Sequence, residues 1–291
     1  MEGQHPPHEH MGLRTKPFTL DVGKEDRVIR GEIRLPETSG TYPVVVICHG
    51  FKGFKDWGFF PYTGEQLAAA GLAAITFNFS MNGVGENSET FEELDKFARN
   101  TFSREQEDLA RIFQEMEAGS LPFHEELDLN RLGLLGHSRG GANSLLFALD
   151  HPFIDGVALW NSVARTDFFA DELKQEIQEK GRGWIPNART GQNMPIDREV
   201  LEDIEQHREQ FDLLQRLTDY EKPILILQGE EDPAVSLKSA RSLREAASHS
   251  QLHTIPHAGH TFNAVHPFQG STDALDEALK KTITFFRKIF N

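Results

Sequence analysis

The chain has 291 residues, 38% hydrophobic and 26% charged, enough to bury a large globular core. Its formal net charge of −15 argues against nucleic acid or an anionic membrane surface as the main partner. A single cysteine, Cys48, excludes an intrachain disulfide framework; in the apolar run Val44-Val45-Val46-Ile47-Cys48 it reads as a buried small residue, not a reactive thiol.

Residues 1–16 read as a disordered polar tail, and His5, His8 and His10 within it are assigned no function. No basic stretch followed by an apolar one opens the chain, and no apolar run approaches the roughly 18 residues of a bilayer span. A cytoplasmic protein with no membrane contact is expected.

Apolar runs then alternate with amphipathic stretches in a βαβα rhythm, which predicts a mainly parallel sheet covered by helices. Pro17–Val22 and Arg27–Leu35 are expected to pair as a hairpin around Gly23-Lys24-Glu25-Asp26. Val44–Cys48 is apolar throughout, as central parallel strands are. Tyr62–Ala70 reads as a helix stopped by Gly71, Leu72–Phe79 as a strand, Phe102–Ala118 as a helix and Leu132–Leu135 as a strand. Further strands are predicted at Ile154–Trp160, Ile224–Gln228 and Gln251–Ile255, with helices at Ser236–Ala247 and Thr272–Phe290. The total is eight strands, and the most informative turn follows the fifth.

That turn is Gly136-His137-Ser138-Arg139-Gly140, a G-x-S-x-G sequence between a strand and a helix. A serine on so sharp a turn needs neighbours without Cβ atoms, which Gly136 and Gly140 supply, and its hydroxyl is then exposed at the edge of the sheet. A serine hydroxyl needs a base oriented by an acid, expected later in the chain in the order acid, then histidine. Asp232 lies just past the strand Ile224–Gln228 and His260 just past Gln251–Ile255. Glu230, Glu231 and His257 are rivals. Asp232 is preferred because Pro233 fixes its turn, and His260 because Gly259 frees the chain to bring it inward. An oxyanion hole requires two N–H donors: Arg139 in the turn, and Phe51 in the loop His49-Gly50-Phe51-Lys52-Gly53-Phe54, where Gly50 allows a close approach. His49 is expected to brace that loop.

Residues 161–221 interrupt the rhythm with about sixty residues where a βα unit spends far fewer. Asp171–Lys180 and Arg198–Leu217 read as helical and Gly181–Asn187 as a loop, so the segment is read as a helical cap over the ligand-binding edge. Residues 17–160 and 222–291 then form the core. Phe54, Trp57, Trp160 and Trp184, with Phe51, Phe168 and Phe169 beside them, are candidate walls of an apolar substrate pocket. The Arg139 side chain is expected in solvent or paired with cap acids; binding a substrate carboxylate is the alternative.

Together, Gly136-His137-Ser138-Arg139-Gly140-Gly141, His49-Gly50-Phe51, Gly229-x-x-Asp232 and Gly259-His260-Thr261-Phe262 resemble the α/β-hydrolase superfamily. Within it the chain is most similar to dienelactone-hydrolase-like and cinnamoyl-esterase-like enzymes, with a looser likeness to the catalytic domain of prolyl oligopeptidases, over residues 18–290. The resemblance implies an α/β-hydrolase fold with an eight-stranded, mostly parallel sheet. It also implies Ser138 as nucleophile, His260 as base, Asp232 as orienting acid and the Phe51 and Arg139 amides as oxyanion donors. Dienelactone hydrolases proper use a cysteine where this chain has Ser138, so lactone opening is not implied. No propeller sequence precedes the domain, so no peptidase specificity is implied either. The expected activity is a serine carboxylesterase acting on small to medium acyl or aromatic esters, with no metal or other cofactor and homodimerisation left open. A serine peptidase or amidase and a non-catalytic ligand-binding protein are the alternatives.

Overall fold

The computed structural model describes residues 12–87 and 90–291; His5, His8 and His10 lie outside them. Strand β1 (Arg14–Asp21) starts ahead of the expected end of the tail and pairs antiparallel with β2 (Val28–Leu35). Then follow β3 (Tyr42–Cys48), α1 (Phe59–Ala69), β4 (Ala73–Asn78), α2 (Leu94–Ala98), α3 (Phe102–Ala118) and β5 (Leu127–His137). The remainder of the core is α4 (Arg139–Asp150), β6 (Gly156–Trp160), β9 (Ile224–Gly229), α8 (Leu237–Ala246), β10 (Ser250–Ile255) and α9 (Asp273–Phe290). The five-residue α2 is too short to leave a periodic signature in the sequence.

Eight strands form one sheet in the order β1-β2-β4-β3-β5-β6-β9-β10. Strand β2 runs antiparallel to both its neighbours, and every other neighbouring pair is parallel except as β2 dictates. The pleat explains why β3 is apolar at every position. Val44, Val46 and Cys48 join one core with Leu109 and Ile112 of α3 and Leu145 of α4, while Val45 and Ile47 join another with Leu67 of α1 and Phe286 of α9. Each such fully buried side chain contributes about 1.5–3 kcal/mol. Helix α3 has the bounds its sequence predicts because both ends are capped. The Thr101 side chain accepts from the Arg104 N–H, and Gly119 closes the helix in the left-handed conformation at φ 73°.

The 161–221 segment is not helical throughout. Helix α5 (Asp171–Lys180) is followed by β7 (Arg182–Pro186), within the Gly181–Asn187 stretch that the sequence predicts as a loop, and β7 pairs antiparallel with β8 (Asn193–Asp197) as a hairpin. Its turn is closed by Asn187, whose Oδ1 accepts from the Arg189 N–H at 3.1 Å and whose carbonyl accepts from the Gly191 N–H at 2.9 Å. In β7 only Gly183 is buried, so no apolar alternation advertises the strand. The predicted helix Arg198–Leu217 is two helices, α6 (Arg198–Gln206) and α7 (Leu213–Leu217), the second started by an Asp212 side-chain cap. A third apolar cluster joins this segment to the loops beneath it. Phe54 and Phe97 there pack with Phe169, Ile177, Met194 and Val200.

Candidate active site

Strands β5, β6, β9 and β10 are parallel neighbours, so the segments that follow them leave the sheet along one edge. Ser138 follows β5 at φ 57° and ψ −119°, a backbone conformation that costs an L-residue of this kind of order 1–3 kcal/mol. The strain is enforced by neighbouring backbone. A Cβ on Gly136 would lie 2.2 Å from the Gly140 carbonyl oxygen, and one on Gly140 would lie 2.1 Å from that of Cys48. The Ser138 N–H donates to the Trp160 carbonyl at 3.0 Å, which anchors the turn to the end of β6.

Asp232 stands in the turn after β9 with a fully buried side chain. Its Oδ1 accepts from the N–H groups of Ala234 (2.8 Å) and Val235 (2.9 Å), and its Oδ2 lies 2.7 Å from Nδ1 of His260. Burial alone would raise this carboxyl; the hydrogen bond and charge of His260 and the two N–H donors outweigh it and hold the group below the ordinary carboxylate value. Because Nδ1 faces a carboxylate it carries a proton, which leaves the Nε2 lone pair free. The rivals lie elsewhere: Glu231 and His257 form a solvent-exposed pair 3.4 Å apart, and Glu230 accepts from the Thr254 hydroxyl.

The loop after β3 runs against the serine turn. A Cβ built on Gly50 would lie 3.5 Å from the Arg139 nitrogen, so the backbones bearing Phe51 and Arg139 are adjacent. As the first residue of α4, Arg139 has no intrahelical acceptor for its N–H. His49 braces this loop. Its Nε2 accepts from the Phe79 N–H at 3.1 Å, and its Nδ1 donates to the Gly50 carbonyl at 2.9 Å. Burial pushes its pKa down to about 4, so the ring is neutral.

The Arg139 side chain is neither in solvent nor paired with the cap. It is buried, with Nε 2.7 Å and Nη2 2.6 Å from Oε1 of Glu105 on α3, and its guanidinium lies 3.9 Å over the Phe102 ring. Glu105 was missed from sequence because it reads as one more acid on a charged helix.

Of the candidate pocket aromatics, Phe51, Phe54, Trp57, Phe168 and Phe169 share one apolar cluster, which Trp160 and Trp184 do not join. Trp160 is no pocket wall: it is fully buried between Phe59 and Phe262, and its indole N–H donates to Thr282 of α9 at 2.9 Å. Phe54 is likewise fully buried, against Phe91 and His266. Trp57 is half-buried and stacked on His266, and Trp184 is exposed with the Arg182 guanidinium over its ring. Phe51 packs on Phe97, Phe168 and Phe169, which joins the loop after β3 to the inserted segment.

Two further residues, His137 and Asn161, touch the segment carrying His260. Nε2 of His137 donates to the His260 carbonyl at 2.8 Å, and the two rings lie 4.7 Å apart. Asn161 donates to the same carbonyl through Nδ2 at 2.8 Å. No group of three or more His, Cys, Asp or Glu side chains among the described residues is arranged to hold a metal ion, and no described helix is long and apolar enough to cross a membrane.

The sequence profile described as "Dienelactone hydrolase family" matches residues 29–290. An uncharacterized 31.7 kDa protein from the traX-finO intergenic region of Escherichia coli is 29% identical over 110 residues, 38% of this chain and 34% of that protein. The chain thus matches about a third of the length of that curated relative. Among solved structures, the esterase domain of a Rhodothermus marinus protein superposes with a TM-score of 0.66 at 18% identity, covering 94% of this chain and 98% of the other. Est1E from Butyrivibrio proteoclasticus with ferulic acid bound gives 0.67 at 16% identity, covering 93% and 98%.

Proposed function

The chain belongs to the dienelactone hydrolase family, and from that premise we propose that it is a serine carboxylesterase in which Ser138 is the nucleophile, His260 the base and Asp232 the orienting acid. The observation that carries the reading is the 2.7 Å contact between His260 and Asp232 at the sheet edge where Ser138 is held at positive φ. Cys48, the sole cysteine, is buried and its thiol is pushed up to about 12 by desolvation, which leaves the serine as the available nucleophile.

In the first step Nε2 of His260 takes the proton of the Ser138 hydroxyl while its oxygen attacks the ester carbonyl. The oxyanion docks on the N–H groups of Phe51 and Arg139, aided by the positive end of α4. Asp232 stabilises the imidazolium, which then protonates the departing alcohol. Water, deprotonated by the same ring, attacks the acyl-enzyme, and the Ser138 hydroxyl is restored as the acid leaves. Phe51 and Phe168 supply an aromatic surface beside the oxyanion donors, which favours aromatic or medium-length acyl groups. The ferulic acid bound by Est1E is an acid of that class.

The test is turnover of p-nitrophenyl acetate and of a methyl cinnamate ester, with fluorophosphonate labelling in parallel. Wild type is expected to hydrolyse both and to be labelled at Ser138. Ser138→Ala should lose both signals, and Asp232→Asn should fall by about 10⁴ in kcat. Undiminished turnover in Ser138→Ala would sink the assignment.

A further inference from the structure

We propose that Asn161 is the positioning residue that sets the acid and the base in register, holding the Asp232 turn and the His260 segment with a single side-chain amide. The inference rests on the triad reading above and extends it to a residue outside the triad.

Asn161 follows the last residue of β6 and is fully buried. Its N–H donates to the Leu227 carbonyl at 2.9 Å, which carries the β6–β9 ladder one step past the end of the strand. Its φ of 46° then turns the chain out of the sheet, a left-handed conformation that asparagine tolerates better than other side chains of its size. The side chain consequently reaches across β9 instead of continuing along β6. Oδ1 accepts from the Gly229 N–H at 2.7 Å, three residues before Asp232. Nδ2 donates to the carbonyls of His260 at 2.8 Å and Gly259 at 3.3 Å. Only one amide orientation satisfies these partners, because Gly229 offers a donor and the other two offer acceptors.

His137 completes the hold on the base. Burial pushes its pKa down to about 3, so the ring is neutral, and the Nε2 that faces the His260 carbonyl carries its proton. Both lone pairs of that carbonyl are therefore engaged, one by Asn161 and one by His137. The nucleophile is tied to the same place: Ser138 N–H donates to the Trp160 carbonyl, one residue before Asn161. Trp160 through its backbone and Asn161 through its side chain thus contact all three segments that carry the triad.

A one-ångström displacement of a catalytic group costs about 10²-fold in rate, so loss of this clamp should act on kcat rather than on KM. Asn161→Gly keeps the left-handed backbone and removes the amide. It is expected to lower kcat for p-nitrophenyl acetate about 10²-fold with KM within twofold and Ser138 still nucleophilic enough to label slowly. Asn161→Asp retains the acceptor for Gly229 but sets a carboxylate against two carbonyls. It is expected to be as impaired, with the acidic limb of its kcat/KM profile moved to higher pH. A readout independent of turnover is the far-downfield NMR signal of the His260 Nδ1 proton shared with Asp232, present in wild type and shifted or lost in Asn161→Gly. An unchanged signal in a folded Asn161→Gly overturns the proposal whatever the activity. So does a kcat within twofold of wild type. An inactive wild type that keeps an Asn161-dependent signal would instead fail the esterase reading alone.

Discussion

Gly50 passes so close to Ser138 that a Cβ built on it would stand 3.1 Å from the serine Cβ and 2.9 Å from the His137 carbonyl oxygen. Both obstacles belong to the strained serine turn, which is tied to the end of β6 by the Ser138 N–H bond to the Trp160 carbonyl at 3.0 Å. Gly50→Ala must therefore displace the loop that bears the Phe51 N–H. The expected outcome is a fold near native by circular dichroism with kcat/KM down by about 10²–10³, the loss seen when one oxyanion donor is removed. Steady-state kinetics on p-nitrophenyl acetate reads it.

The buried pair of Arg139 and Glu105 gives an asymmetric prediction. Glu105→Ala leaves a guanidinium in the core with its carboxylate removed and should destabilise by about 3–5 kcal/mol. Glu105→Leu with Arg139→Met removes both charges while keeping volume and should lie much closer to wild type. Urea unfolding of the single and double variants measures the difference; equal losses in both would show that packing, not the uncompensated charge, dominates.

Stability should depend on pH through His49 and His137. Both are held neutral by burial, and both have folded pKa values below the ordinary 6.5, at about 4 and about 3. Below pH 6.5 the unfolded chain binds protons that the folded chain does not, so stability is lost as pH falls. The loss continues down to about pH 4 for His49 and about pH 3 for His137. Each histidine adds a slope approaching about 1.4 kcal/mol per pH unit within its window. Chemical denaturation at pH 7, 5.5 and 4.5 compared with that of His49→Gln checks it: the variant should show the shallower dependence.

Trp160 and Trp184 should separate structure from substrate binding. Trp160→Phe removes the indole donor to Thr282 inside a packed core and is expected to cost about 1–3 kcal/mol with KM unchanged. Trp184→Ala, on an exposed strand, should leave stability within about 0.5 kcal/mol of wild type. Thermal melts and KM for an aromatic ester on both variants read the outcome, and a KM increase confined to Trp184→Ala would assign it to the substrate.

What the sequence determined by itself was local: buried strands such as Val44–Cys48, capped helices such as Phe102–Ala118, and the glycines that let a serine sit at a sharp turn. Apolar runs, capping residues and turn chemistry act over a few neighbouring positions, so each is legible without the rest of the chain. The hairpin β7–β8 escaped because it buries too little on one face to show a period of two, and Trp160 was misjudged because its strand can present an indole to either side of the sheet. Only the tertiary structure decided which partners the polar side chains would take. Arg139 found Glu105, more than thirty positions earlier, and Asn161 found Gly229 and His260, about seventy and a hundred positions later. Such pairings are set by which strands lie side by side, and a buried polar group takes whatever complementary donor or acceptor the packed fold brings within reach.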